Sequence, residues 1–193
     1  MTEIDKLKTA CRDCRACAIG GCDYGAGVAN VFSNMNTEAS IMVVGQAPGD
    51  DEVTHGSPFV GASGKLFEEA LREKCGLELS DLYLTNTVKC LVPGGRKPKG
   101  SEIDSCGAFL EKEIKLVDPV IIIAFGATAF KSLTGMSGIN KHQNTLVYSV
   151  KYKVNVLAMM HPNPHNMGNP ELRKVFDEGL EMLNEFFRLI KVY

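Results

Sequence analysis

The sequence predicts an α/β protein: a three-layer α/β/α sandwich with a central, mainly parallel four-stranded sheet. Three observations carry this. Strand-like and helix-like segments alternate along the chain, as in βαβ units. The apolar stretches Ile41–Val44 and Val120–Phe125 are continuous rather than alternating, the pattern of strands buried on both faces in a parallel sheet. The first of these runs stops at Gly45-Gln46-Ala47-Pro48-Gly49-Asp50. In open α/β sheets, ligands bind beyond the carboxyl ends of strands, where a Gly/Pro turn lets backbone N–H groups come close.

In chain order, residues 1–17 begin with a polar, helix-compatible segment that has Ile4 and Leu7 on one side. They lead into Cys11-Arg12-Asp13-Cys14-Arg15-Ala16-Cys17, two overlapping C-x-x-C pairs. Gly20–Gly27 reads as loop, Val31-Phe32 as a short extended piece, and Asn34–Ser40 as a turn before the first strand. After the Gly45–Gly49 turn, Asp50–Ser57 reads as a polar loop leading to Pro58-Phe59-Val60-Gly61. Leu66, Phe67, Ala70 and Leu71 then recur at helical spacing, with Ser63 as N-cap and Cys75-Gly76 as the end. Leu82–Thr85 is a second strand ending in Asn86, and Thr87–Val92 continues it into the basic loop Pro93–Gly100. A helix from Ser101 to about Val117 turns Cys106, Phe109, Leu110 and Ile114 inward. Val120–Phe125 is the third strand, and Gly126-Ala127-Thr128 starts a short helix ending near Gly135. Gln143–Val150 and Tyr152–Met160 read as a hairpin about Lys151 whose second arm runs into His161-Pro162. Pro170 opens a last amphipathic helix with Leu172, Val175, Phe176, Leu180, Leu183 and Phe187 inward.

Length and composition set bounds. A chain of 193 residues, 45% hydrophobic and 23% charged, is expected to form one domain over 1–193. Residues 1–40 are expected to form an N-terminal helix and a cysteine-bearing arm within it. The net charge of −2 does not advertise a polyanion binder, so a nucleic-acid site would be a local basic patch. No apolar run is long enough to span a bilayer, and Met1–Lys8 lacks the apolar core of a signal peptide. The expected location is cytoplasmic, as a monomer without a membrane partner. Seven cysteines, four of them between positions 11 and 22, are many for such a protein. In a reducing compartment, a cluster of this kind points to a metal or iron–sulfur centre rather than disulfides.

Three strand ends carry polar groups followed by irregular backbone: the Gly45–Gly49 turn with Gln46, Asn86, and His161. A side-chain amide both donates and accepts, so it can read the edge of a cyclic amide such as a nucleobase. A histidine can stabilise developing negative charge or move a proton. Phe59 can stack on a flat ligand. Together these groups predict a planar polar ligand. Two other patterns fail. Gly61-Ala62-Ser63-Gly64-Lys65-Leu66 lacks the spacing and final hydroxyl of a P-loop, and Pro162 and Pro164 deny His161 and His165 a shared helix face.

The pieces Gly45-Gln46-Ala47-Pro48-Gly49, Glu52 and Ser57-Pro58-Phe59-Val60-Gly61-Ala62-Ser63-Gly64-Lys65-Leu66 resemble the first motif of the family 4 uracil-DNA glycosylases. Leu84-Thr85-Asn86-Thr87-Val88-Lys89-Cys90, with Arg96, Pro98, Glu102-Ile103 and Cys106, resembles the middle motif. Phe125-Gly126-Ala127-Thr128-Ala129 and His161-Pro162 complete the likeness, which covers almost the whole chain in order. The resemblance implies hydrolysis of the N-glycosidic bond of uracil, or a related deaminated base, in single- or double-stranded DNA. By resemblance, Gly45, Ala47, Pro48 and Gly49 hold the base, Phe59 stacks on it, Asn86 reads its edge, and His161 stabilises charge on the uracil O2. The resemblance also implies a 4Fe–4S cluster on Cys14, Cys17, Cys90 and Cys106. Cys11 is the rival for one N-terminal place, because Cys11/Cys14 has the same spacing, and a structural zinc on the same four cysteines is the alternative to a cluster. Cys75 is expected as a buried helix-end residue. DNA-backbone contacts are expected from Arg96, Lys97 and Lys99, with Lys65 and Arg173 as lesser candidates.

The sequence also departs from the family. Where the family usually has Glu, this chain has Gln46, and an amide cannot take a proton at neutral pH. Asp50, Asp51 or Glu52 can substitute, Asp50 lying nearest the turn. After His161, Asn163-Pro164-His165-Asn166-Met167-Gly168 replaces the family's small residue, apolar residues and Arg; Met167 is the expected wedge that fills the vacated base stack. Three functions follow: a uracil-DNA glycosylase of normal or altered base specificity; a non-catalytic iron–sulfur DNA-binding protein; or a different nucleic-acid hydrolase using the same pocket.

Overall fold

The computed structural model describes residues 1–20 and 30–190. Cys22 and most of the loop expected over 20–27 lie outside the described residues. Strands β1 (Ile41–Gly45), β2 (Tyr83–Asn86), β3 (Ile121–Phe125), β4 (Leu146–Ser149) and β5 (Val154–Met159) form one sheet in the order β2-β1-β3-β5-β4. Pairings β1–β2, β1–β3 and β3–β5 are parallel; β4 pairs antiparallel with β5. The sheet therefore has five strands rather than the expected four. Both arms of the hairpin join it, because β5 enters the interior while β4 supplies an antiparallel edge. β4 has a half-exposed burial pattern, unlike the fully buried β1, β2 and β3.

Alternating side chains on each strand point to opposite faces, and this sorts the core into two layers. Met42, Val44, Ile122, Ala124, Val156 and Ala158 pack under α1 (Glu3–Arg12), α4 (Gly100–Val117) and α5 (Gly126–Thr134). Ile41, Val43, Ile121, Ile123 and Leu157 pack under α3 (Ala62–Cys75) and α7 (Pro170–Ile190). The three-layer arrangement is thus as the sequence reading expects. At the N-terminus, Thr2 caps α1: its hydroxyl accepts the Asp5 N–H at 3.3 Å, and Asp5 accepts the Thr2 N–H at 2.9 Å.

Two segments read as irregular are helical. Asp50–His55 forms α2, favoured by Asp50, Asp51 and Glu52 in the first turn, where carboxylates complement the helix dipole. Pro164–Gly168 forms α6, with the Asn163 side chain accepting the Asn166 N–H at 2.9 Å. His161 precedes α6, so it shares no helix with His165. Among the described residues, no helix is long and apolar enough to cross a membrane.

Candidate functional site

The carboxyl ends of β1, β2 and β5 open on one cavity of about 720 Å³, lined by the Gln46–Glu52 segment, Phe59, Asn86, Arg96 and His161. Its floor is Gly45. A Cβ there would lie 2.3 Å from Asn86 Oδ1 and 3.2 Å from the Phe59 ring. The missing side chain is the space into which the Asn86 amide and the Phe59 ring converge. Segment 87–88 runs along the turn: the Thr87 N–H and hydroxyl donate to the Gly45 carbonyl at 2.8 and 2.9 Å, and the Val88 N–H donates to the Gln46 carbonyl at 3.0 Å. Gly45→Ala is expected to displace Asn86 and abolish action on the ligand while the fold survives. Activity and circular dichroism measured together check this: retained activity would mean that the amide is not where it matters.

Phe59 sits in the left-handed region, at φ +58°. A bulky residue there is uncommon, and such backbone gathers at ligand sites. The Phe59 ring packs tilted against Phe125 and Phe67, at centroid distances of 6.1 and 6.4 Å. Gly64, in the first turn of α3, makes the loop possible, because a Cβ there would lie 1.8 Å from the Phe59 carbonyl oxygen. Glu52 ties this loop to the β1 turn: its two carboxylate oxygens accept the N–H groups of Gly49 at 2.9 Å and Gly61 at 2.8 Å. Glu52 is therefore committed to the backbone, while Asp50 lies exposed at the rim.

Gln46 Oε1 accepts the hydroxyl of Thr128 at 2.7 Å, from the first turn of α5. The sequence reading missed Thr128. Its signal was the Gly126-Ala127-Thr128 turn at the end of the third strand, a fourth strand end at the same edge of the sheet. His161 meets Phe125 edge-on at 6.3 Å. Its carbonyl accepts from Asn163 N–H at 2.9 Å and Asn166 Nδ2 at 2.8 Å, which fixes the backbone. Burial pushes the imidazole pKa below its ordinary value, opposed by the Glu52 carboxylate.

A second, smaller cavity lies behind segment 88–90, lined by Cys11, Cys14, Cys17, Cys90 and Cys106 together with Lys89 and Phe109. Cys17, Cys90 and Cys106 pack with Ile19, Val88 and Val92, whereas Cys11 belongs to the core under α1 with Ile4 and Leu7. The Lys89 N–H donates to Cys106 Sγ at 3.3 Å. Among the described residues, no three Cys, His, Asp or Glu groups close on a point where one metal ion would sit.

On the rim, Arg96 is paired to Glu102 through both carboxylate oxygens, at 2.9 and 2.7 Å, and the guanidinium holds that carboxyl down to about 2. Lys97, Lys99 and Lys65 are exposed. Arg173 is taken up by Asp177 at 2.9 Å and Glu73 at 3.2 Å, on the α3–α7 side. Cys75 is half-buried, its thiol donating to the Leu180 carbonyl at 3.5 Å.

The model of the Uracil DNA glycosylase superfamily matches residues 32–186. The chain belongs to this superfamily. A type-4 uracil-DNA glycosylase from Sulfurisphaera tokodaii is 34% identical over 192 residues, covering 96% of this chain and 85% of that protein. One from Archaeoglobus fulgidus is 31% identical over 194 residues, covering 96% and 94%. One from Thermotoga maritima is 35% identical over 162 residues, covering 82% and 83%.

In this uracil-DNA glycosylase superfamily member, the residues expected at the first pocket, Gln46–Asp50, Phe59, Asn86 and His161, do line one cavity. Met167 does not stand out as a wedge. It is 7% exposed and packed in the core layer that includes Phe59 and Phe176, because α6 folds its apolar residue inward. A side chain held in that core cannot enter a base stack without breaking the core.

Proposed function

We propose that this chain is a monofunctional DNA glycosylase that hydrolyses the N-glycosidic bond of uracil, or a related deaminated base, and so initiates base excision repair. The observation that carries the reading is the convergence of the Asn86 amide and Phe59 ring above the bare backbone of Gly45. A base cannot be hydrolysed inside a duplex, so the nucleotide is flipped into the pocket. There Phe59 stacks on the ring and the Asn86 amide pairs with one donor and one acceptor on the uracil edge. Cytosine presents a different donor and acceptor pattern on that edge. As the bond breaks, the base leaves as an anion and the sugar becomes cation-like. A ring N–H of neutral His161 then stabilises the charge on the uracil O2. With Gln46 tied to Thr128 and Glu52 to two amides, Asp50 is the carboxylate assigned to water and the sugar cation. The type-4 relatives support the substrate class.

Cys14, Cys17, Cys90 and Cys106 are the ligands assigned to a 4Fe–4S cluster. These four all line one cavity, which Cys11 also borders, and with a backbone N–H on Cys106 Sγ they fit that donor set. Placing Cys11 in the α1 core supports Cys14/Cys17 as the N-terminal pair. When bound, the cluster supplies cross-linking, tying the N-terminal arm to both ends of the loop between Cys90 and Cys106.

The pocket is complete within one chain, which supports a monomer and one unit over 1–193, acting in the cytoplasm on single- or double-stranded DNA. Lys97 and Lys99 are the freer backbone contacts, since Arg96 is half neutralised by Glu102. Replacing either lysine by Ala is expected to weaken binding to all sequences alike and to lower the salt slope of log K by about one. Titrations at several salt concentrations check this.

Gln46 favours one other reading, a non-catalytic iron–sulfur DNA-binding protein, because the family's usual carboxylate is absent there. A gel assay separates the two. Cluster-loaded protein is incubated with uracil-containing or thymine-only oligonucleotide, and alkali then breaks abasic sites. Cleavage of the uracil strand alone is expected; binding without cleavage on single- and double-stranded substrates would establish the second reading.

A further inference from the structure

Behind Asn86 lies a fully buried ion pair that the chemistry above does not use. Lys89 and Glu113 side chains have no exposure and are hydrogen-bonded to each other. The other two ammonium protons of Lys89 go to Thr85 Oγ1 at 2.6 Å and to the backbone carbonyl of Asn86 at 2.7 Å. All three donors of the group are thereby used. Glu113, on α4, accepts through its other oxygen from the Tyr83 hydroxyl at 3.0 Å and the Thr85 hydroxyl at 2.8 Å. The backbone N–H of Lys89 donates to Cys106 Sγ.

A buried pair of this kind adds little to stability relative to a well-packed apolar substitute. Its placement suggests a different use. Tyr83, Thr85 and Asn86 are the strand that ends at the base-reading amide, and the network grips all three. The β1–β2 register ends at Gly45 opposite Asn86, and the peptide that follows is held from both sides: its Thr87 N–H donates to the Gly45 carbonyl at 2.8 Å and its Asn86 carbonyl accepts from the Lys89 ammonium. The ammonium group is thus the contact from behind that helps set the direction in which the Asn86 side chain leaves the backbone.

We infer that the Lys89–Glu113 pair positions Asn86: it orients the base-reading amide from behind and locks it to the cysteine-bearing α4. This rests on the reading of Asn86 as the base-recognising residue. The pair touches neither base nor phosphate, so its removal acts on excision through Asn86 and leaves DNA affinity alone. Misplacing a positioning group by about 1 Å can cost on the order of a hundredfold in rate.

The test is a mutant cycle in single-turnover excision of uracil. Lys89→Met/Glu113→Gln removes both charges together and leaves no lone buried ion. Thr85→Val is a milder variant that removes one partner and keeps both charges. Each is made in the native and Asn86→Ala backgrounds, with DNA affinity, iron content and melting temperature followed alongside. Asn86→Ala alone is expected to reduce base selectivity more than DNA affinity. In the native background, the double variant is expected to lower the rate about a hundredfold and Thr85→Val about tenfold, with affinity and iron content unchanged. In the Asn86→Ala background, both losses are expected to shrink to about twofold, because the residue acted through is already gone. Losses that multiply independently of Asn86, or no loss at all, overturn the inference. Full activity in Asn86→Ala itself would overturn the role of Asn86 in the pocket.

Discussion

His161→Gln is expected to lower the rate of uracil excision by about a hundred- to a thousandfold, with uracil-DNA affinity unchanged. That is the usual cost of removing one fixed donor from a site where negative charge develops. The structure gives this donor a neutral ring. Burial behind Phe125 lowers the His161 pKa, and the Glu52 carboxylate opposes this without reversing it. At neutral pH the imidazole is uncharged and one ring nitrogen carries the proton that is donated. Fixation of its backbone by Asn163 and Asn166 keeps the ring in place before substrate arrives. The lowered pKa also has a stability consequence. The unfolded chain takes up a proton near the ordinary value of 6.5, the folded chain only at lower pH. Between the two, the unfolded state binds more protons, so stability rises with pH through that window and falls as the medium is acidified. The melting-temperature difference between native protein and His161→Gln is therefore expected to shift against the native protein as pH is lowered below about 6.5. A difference independent of pH would show that folding leaves the pKa of the ring unshifted, and a shift in favour of the native protein that the ring is protonated in the fold.

Cys14→Ala is expected to abolish cluster loading and, with it, the order of the loop between Cys90 and Cys106, whereas Cys11→Ala is expected to leave iron content intact. Cys90 follows the base-reading strand and Cys106 lies in α4, and the loop between them carries Leu91, Val92 and Arg96 into the pocket wall. Closing a loop of this length is worth about 3 kcal/mol in the chain-entropy account, so the cluster-free protein is expected to melt well below the native one. Cys11 is different: it is 2% exposed in the core under α1. Its replacement by Ala removes one buried sulfur, on the order of 1 kcal/mol. Iron analysis with absorbance in the near-ultraviolet and visible range checks both. Iron lost from Cys11→Ala and kept in Cys14→Ala would exchange their roles.

What could be read in the sequence, and what could not, divides along physical lines. Ile41–Val44 and Val120–Phe125 announced buried parallel strands because both faces are covered, and Asn86 and His161 stood out because polar residues ended apolar runs. Glu52 reads as part of the first motif and as a substitute carboxylate, but not as a tie between two loops. In Asp50-Asp51-Glu52 it resembles a solvated acidic stretch, and its role comes from the amides of Gly49 and Gly61, the latter nine residues on. Thr128 was hidden because its partner Gln46 is far away in sequence. Lys89 reads only as part of the Thr87–Val92 segment and the middle motif, and its role comes from Glu113 of α4, brought against it by the fold. Met167 reads as a wedge from its place in the segment that replaces the family's residues after His161; the docking of α6 buries it. In each case the deciding partner is non-local, and spacing along the chain carries no trace of it.

The central claim is that the pocket over Gly45 releases uracil from DNA although Gln46 stands where a carboxylate is usual. Mass analysis of a uracil-containing oligonucleotide after incubation with cluster-loaded protein tests it most directly. The predicted products are free uracil and a strand lighter by that base, with every phosphodiester intact. An unchanged strand, or a broken phosphodiester with uracil still attached, would contradict it.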